Sequence, residues 1–282
     1  MKISHTNIQL RPSEWPVYIL IAVFLTAALV LIFTIKNLAL FSGNPVSSAN
    51  AESAFAANHG GVLIFSKTDG FRHHSIEPGI AALTKECANK GWEVHVTENA
   101  AFINPKYLVP FKVVIFLSTT GEIFDDKQKA AFQNYMENGG GYVGIHSASD
   151  TEHGWEWYGN LLGTFFRDHT FLPHMPEAEL VTETALHPAT HGLPKNWHKE
   201  DEWYNFQQNV RGKPGFEVLL SLNEQSYSSV WRKMNGDHPI SWTHELPRGR
   251  MFYTALGHNA QTFSDPNAMR HIMGGIQWAG RL

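Results

Sequence analysis

The sequence predicts an α/β domain whose parallel sheet is covered on both faces, and three observations predict it. Gly61-Val62-Leu63-Ile64-Phe65-Ser66, Val113–Leu117 and Tyr142–Ile145 are short, almost wholly apolar runs. Segments with helical apolar spacing lie between them. Each run ends in a polar loop dense in functional groups. Strands buried on both faces read this way, and the alternation of strand and helix favours parallel pairing.

The elements follow in order. The first strand spans 61–66. Its loop, Lys67 to Ser75, carries Arg72, His73 and His74. Ser75 is placed to cap a helix with Pro78 in its first turn. That helix runs to about Lys90 and buries Ile76, Ile80, Leu83 and Cys87; Gly91 closes it. Trp92 to Thr97 alternates as a second strand, and Val113–Leu117 is the third. Ser118 to Glu122 is a loop at its carboxyl end. Asp125 caps a helix ending near Asn138. The glycines 139–141 suit that helix end, and the fourth strand follows.

Gly144-Ile145-His146-Ser147-Ala148 then forms a G-x-H-x-A elbow. A sharp turn of this kind lifts one side chain above the carboxyl edge of a sheet. The lifted residue is His146, so no nucleophile stands there. The second half is less regular. It holds a short helix from Trp155 to Gly163 and strands at Ala178–Thr182, Phe216–Leu222, Ser228–Trp231, Ile240–Thr243 and Arg250–Leu256. A last helix opens at Asp265-Pro266 and packs Met269, Ile272, Met273, Ile276 and Trp278 inward.

The amino terminus is of a different kind. Val17 to Ile35 has no charged residue. At about 1.5 Å per residue it nearly spans a bilayer core of roughly 30 Å. Lys2 and Arg11 precede it, which places the short amino-terminal side in the cytoplasm and the bulk outside. The reading is therefore a cytoplasmic stretch (1–16), a transmembrane anchor (17–35), a flexible linker (36–59) and an exported domain (60–282). A cleaved signal peptide is the rival, with Ala-x-Ala sites at Ala49-Asn50-Ala51 and Ala54-Phe55-Ala56.

Composition excludes some classes. A net charge of -4 leaves no basic stripe for nucleic acid. Cys87 is the only cysteine, so no internal disulfide forms. Eighteen Phe, 9 Trp, 8 Tyr and 16 His suit carbohydrate or metal chemistry.

Seven pieces in order resemble one family. They are Gly70-Phe71-Arg72-His73-His74-Ser75-Ile76, the elbow Gly139–His146, Trp157-Tyr158 through Leu162-Gly163, and His187-Pro188-Ala189-Thr190. Asp201-Glu202-Trp203-Tyr204, Gly249–His258 and Ile276-Gln277-Trp278-Ala279 complete the set. From about residue 60 onward the chain resembles a ThuA-like (trehalose utilisation) domain of the class I glutamine amidotransferase-like superfamily. The resemblance implies a flavodoxin-like three-layer α/β/α sandwich. Where amidotransferases carry their cysteine this chain has His146, so glutamine hydrolysis is not expected. The resemblance also implies a sugar-processing step, on a route through 3-keto sugars.

A 3-keto sugar acidifies its neighbouring C–H. Cleavage then needs a base, an electrophile for the oxyanion and an acid for the leaving group. The catalytic candidates are His73, His146, Glu202 and His258, all on matching motif positions. Arg72, Thr120, Asp201, Trp157, Tyr204 and His169 are the candidates for holding substrate, with Arg72 as oxyanion partner. The cofactor is unknown; a divalent metal is one option, with His73, His146, His169 and His258 as candidate ligands, although no H-E-x-x-H pair occurs. Expected partners are a small sugar and, through the anchor, a membrane. The oligomeric state is open. A non-catalytic carbohydrate-binding or scaffold module and a metal-binding protein stand as the alternative functions.

Overall fold

The computed structural model of the chain describes residues 61–230 and 233–282. The expected cytoplasmic stretch, anchor and linker lie outside the described residues. Among the described residues no helix is long and apolar enough to cross a membrane.

Among the described residues eleven strands and five helices follow one another. In chain order they are β1 (Gly61–Phe65), α1 (Ile76–Asn89), β2 (Val94–Thr97), α2 (Pro105–Leu108), β3 (Phe111–Leu117), α3 (Asp126–Glu137) and β4 (Gly141–Ile145). Then come α4 (Glu156–Leu162), β5 (Phe166–His169), β6 (Glu177–Thr182), β7 (Asn196–Glu200), β8 (Tyr204–Phe206) and β9 (Phe216–Leu222). β10 (Pro239–Glu245), β11 (Arg250–Thr254) and α5 (Pro266–Gly280) complete the fold. Nine strands make one sheet in the order β2-β1-β3-β4-β11-β10-β9-β6-β7, and β5 pairs with β8 separately.

The sheet has two characters. β2, β1, β3, β4 and β11 are parallel. β10, β9, β6 and β7 continue it antiparallel. The fully apolar runs sit in the parallel half because helices cover both of its faces. On one face Leu83 and Cys87 of α1 and Ile272 and Ile276 of α5 meet Ile64, Ile115, Val143 and Phe252. On the other, Phe132 of α3 and Tyr158 and Leu161 of α4 meet Leu63, Val114, Phe116 and Tyr142. Alternate residues of each strand thus feed two separate cores. Each fully buried Leu, Ile, Val or Phe contributes about 1.5–3 kcal/mol.

The helix ends match the sequence in most cases. Asp125 forms a capping box with Gln128. Asp265 accepts from the Ala268 N–H. Gly163 adopts φ 86° after α4. Gly141 has to be glycine, since a Cβ there would lie 2.4 Å from the Ala279 carbonyl oxygen.

Two expectations are corrected. Ser75 stands at the amino end of α1, but its side chain makes no cap, and its hydroxyl is buried without a partner. Ser228–Val230 is not a strand. Val230 is 73 % exposed, and Glu224 folds the surrounding loop by accepting from the Met234 and Gly236 N–H groups; Trp231 lies outside the described residues. Asp201 and Glu202 lie in no helix. They form the link between β7 and β8.

Candidate functional site: a histidine cluster on one carboxylate

The loops after β1, β3, β4 and β11 emerge from the same edge, the carboxyl ends of the parallel strands. Isolated bridges lace them together, Thr68 to Thr120 and Gly121 to Thr151. Ligands of such sheets bind outside this edge.

Each loop delivers one histidine or fixes one. After β1, His73 is buried while its neighbour His74 is exposed, as an extended loop requires. At the end of β4, His146 is fully buried with φ 54°. A left-handed backbone is strained for a residue with a Cβ, and its surroundings must hold it there. They do: Tyr253 Oη donates to the His146 carbonyl at 2.8 Å. Gly144 leaves room for the elbow, because a Cβ there would meet Tyr142 Oη and Tyr253 Cδ2 at 3.0 Å. After β11, His258 follows Gly257, whose φ is 135°.

Glu202 comes from the antiparallel half, after β7. Its carboxylate is the centre of the site. Oε2 lies 3.4 Å from His146 Nε2 and 3.1 Å from His258 Nδ1. Oε1 lies 3.3 Å from His169 Nδ1 and in close contact with His174 Nε2. His73 Nε2 stands 3.2 Å from His146 Nε2, and Tyr204 Oη stands 3.0 Å from the same nitrogen. Five imidazoles and one phenol therefore gather around one carboxylate.

Burial and charge set the protonation of this group. Burial pushes the Glu202 carboxyl up, yet the adjoining His146 and His258 outweigh it and hold it well below the usual carboxylate range. Burial pulls His258 down, and Glu202 more than reverses this, so His258 is raised. Burial, with His146 and His258 nearby, drives His73 down to about 2. His73 is thus a neutral acceptor. Burial and the Glu202 charge lift Tyr204 far above its ordinary value, so its hydroxyl stays a donor.

Of the candidates named from the sequence, His73, His146, Glu202, His258, Tyr204 and His169 converge. The other candidates do not. Arg72 faces away and pairs with Glu77 and Glu98, each at 2.7 Å. It braces the loop and meets no oxyanion site. Thr120 is buried and donates to the Phe71 carbonyl at 2.9 Å, tying two loops together. Trp157 stacks on Trp155 at 5.0 Å and packs against the core. Asp201 is fully buried and accepts from the N–H groups of Glu202, Gly257 and Asn259 and from the Thr262 hydroxyl. With its acceptors filled, it clamps the His258 loop to the Glu202 loop and has none left for substrate.

His174 is the member of the cluster that the sequence reading missed. It lies in Leu172-Pro173-His174-Met175-Pro176, a loop without periodicity. Its only signal was a histidine between two prolines, five positions after His169. Two sets of atoms here are close enough to share a cation. One is His73, His146, Glu202 and His258; the other is His169, His174 and Glu202.

The family follows from the whole domain. The ThuA family, described as trehalose utilisation, matches residues 61–279. The chain belongs to the ThuA family. A crystal structure described as a ThuA-like protein from Bacteroides uniformis ATCC 8492 is 25% identical, with a TM-score of 0.68 over 79% of this chain and 94% of that one. Another, from Parabacteroides merdae ATCC 43184, is 17% identical at TM-score 0.62, over 79% of this chain and 90% of that one; this likeness is one of fold. No curated protein matches the chain. The ThuA match begins at residue 61, so the amino-terminal segment lies outside it. Within it fall every one of the six converging residues and His174.

Proposed function

We propose that the protein is an exported, membrane-anchored sugar-processing enzyme of the ThuA type. It acts on a keto disaccharide or a related glycoside by acid–base chemistry at Glu202. The observation that carries this reading is the gathering of five histidines and Tyr204 on one buried carboxylate at the ligand-binding edge of the sheet. The family's description, trehalose utilisation, supplies the substrate class. Two covered faces and an elbow after β4 support the flavodoxin-like, amidotransferase-like form of the fold. Amidotransfer is not part of the proposal, because His146 occupies the elbow and burial pushes the Cys87 thiol up to about 12. The 17–35 segment is the proposed anchor.

The parts divide by exposure. The His169 and His174 side chains are 38% and 46% exposed and share Glu202 Oε1. They form the proton-transfer pair that incoming sugar meets. One removes the proton beside the keto group. The aglycone oxygen leaves with its bonding electrons and takes a proton in return. Tyr204 donates its hydroxyl to the oxyanion that develops. Ionised Glu202 supports whichever imidazole carries the proton. Phe71, 63 % exposed and edge-on to His73 at 4.8 Å, offers a ring at the mouth for a sugar face.

The test is turnover of a 3-keto disaccharide by the purified full chain. His174→Ala should lower kcat by about 10²–10⁴-fold, and Tyr204→Phe by about 10²-fold. Sugar binding without any product would replace the enzyme by a carbohydrate-binding module. A reporter fused to the carboxyl terminus should be active only outside the cytoplasm; activity inside would remove export from the proposal.

A further inference from the structure

The buried half of the cluster turns several ring nitrogens and one carboxylate oxygen toward one another. His146 Nδ1 lies 2.9 Å from the Ala255 carbonyl, so that nitrogen carries a hydrogen and donates it. In the neutral ring Nε2 is then an acceptor, with Tyr204 Oη 3.0 Å and His73 Nε2 3.2 Å away. It nevertheless faces the Glu202 Oε2 atom at 3.4 Å, another acceptor. His258 Nδ1 comes within 3.1 Å of the same oxygen and is buried, yet it lies off any hydrogen-bonding direction.

The spacing has a simple meaning. Nitrogen and oxygen ligands about 2.1 Å from a shared ion stand about 3.0 Å apart at right angles and about 3.4 Å apart in a tetrahedron. The separations here, 3.1, 3.2 and 3.4 Å, fall in that range. All four ligand atoms lie within 4.8 Å of one another.

We propose that His73 Nε2, His146 Nε2, His258 Nδ1 and Glu202 Oε2 hold one divalent transition-metal ion. Three imidazoles and one carboxylate suit zinc, cobalt, nickel or iron, and not magnesium or calcium, which take oxygen ligands. The ligands are already oriented by a second layer of contacts. The Ala255 carbonyl fixes the His146 tautomer, Ser147 Oγ stands 3.3 Å from His73 Nδ1, and Asp201 clamps the backbone on both sides of His258. The open side is that of His258, whose side chain is 18% exposed. The His174 ring stands there, 4.9 Å from the His258 ring. A sugar oxygen entering by this route meets the ion and the proton-transfer pair together. The ion supplies Lewis-acid polarisation of that oxygen. The inference extends the enzyme reading above, since it adds an electrophile to the same site.

The test uses the untagged full chain, stripped with a chelator and titrated with Zn²⁺ and then Co²⁺. One equivalent should bind, with a rise in Tm and with visible Co²⁺ bands of a nitrogen-rich site. Mg²⁺ should not compete. His146→Ala and the volume-conserving His258→Gln should each weaken binding by about 100-fold or more, beyond what outer-layer changes cost, with circular dichroism unchanged. Failure of the stripped wild type to bind either ion overturns the proposal. So does equal binding by wild type and His258→Gln. Turnover of the keto sugar is followed on the same samples. Metal bound without turnover removes the enzyme reading and keeps the ion; full turnover in stripped protein does the reverse.

Discussion

Two groups of buried histidines occupy this domain, and they differ in what their nitrogens face. His271, on α5, is fully buried. Its Nδ1 donates to the Ala189 carbonyl at 2.8 Å, and its Nε2 meets the Ser241 hydroxyl at 2.8 Å. His187 accepts the Ala189 N–H on Nδ1 at 3.1 Å. These rings join the last helix to the sheet and its neighbouring turn. His73 and His146 are buried to a similar degree and His258 is partly buried, but they face one another and Glu202. Burial therefore does not mark a functional histidine. Nor does one titratable neighbour, since buried His238 turns Nδ1 to Glu224 at 3.0 Å; what sets the cluster apart is several rings turned toward one carboxylate.

That contrast can be broken by substitution. His146→Ala should remove about 10³-fold or more of the turnover, since it takes away the residue that meets His73, Tyr204 and Glu202 together. A loss below tenfold on the keto-sugar assay would place His146 with the structural group. His271→Ala should act in the opposite sense. It leaves a buried carbonyl and hydroxyl without their partner and costs about 2–4 kcal/mol in urea unfolding, with kcat at 25 °C within about twofold.

Acid should separate the groups as well. Burial pushes His271 down to about 4, and His187 likewise to about 4. Both are neutral in the folded state when the unfolded chain begins to protonate near pH 6.5. Their contribution is complete above that pH and is lost as pH falls toward 4. The cost reaches about 3 kcal/mol for His271 and less for His187. Urea midpoints that stay level from pH 7 to 4.5, or a His271→Ala variant with an unchanged slope, would contradict this. The smallest effect belongs to Arg72. Its ion pairs are half exposed, so Arg72→Ala should cost about 0–1 kcal/mol and leave KM within about twofold. A large rise in KM would return Arg72 to the substrate.

Much of the parallel half was legible in the sequence. Its strands are short and apolar because both faces are covered, and their loops begin where the apolar run stops. His73 and His146 could be placed at one edge on that basis, and His258 was named from a motif. The antiparallel half was harder to read. β5 and β8 are three or four residues long and carry Arg167, Asp168 and Asn205, so they show no period. β7 alternates over only five residues. Glu202 and Tyr204 were named from a motif, but their convergence on the histidines depends on strand order, which a single sequence does not display. Arg72, Thr120 and Trp157 were misassigned for one reason. Residue type and position near the edge say nothing of direction, and each turned toward a local partner. Asp201 was placed in the right region, and its role as a clamp needed the four donors around it.

The central claim is that the Glu202 cluster processes a keto sugar. The most direct measurement is a time course of product release from a 3-keto disaccharide, with the unoxidised disaccharide beside it, for wild type and Glu202→Gln. The account predicts release from the keto sugar alone, and a fall of about 10²-fold or more in Glu202→Gln, which keeps the shape and removes the charge that five imidazoles share. Equal release from both sugars, or a Glu202→Gln variant as fast as wild type, would contradict it.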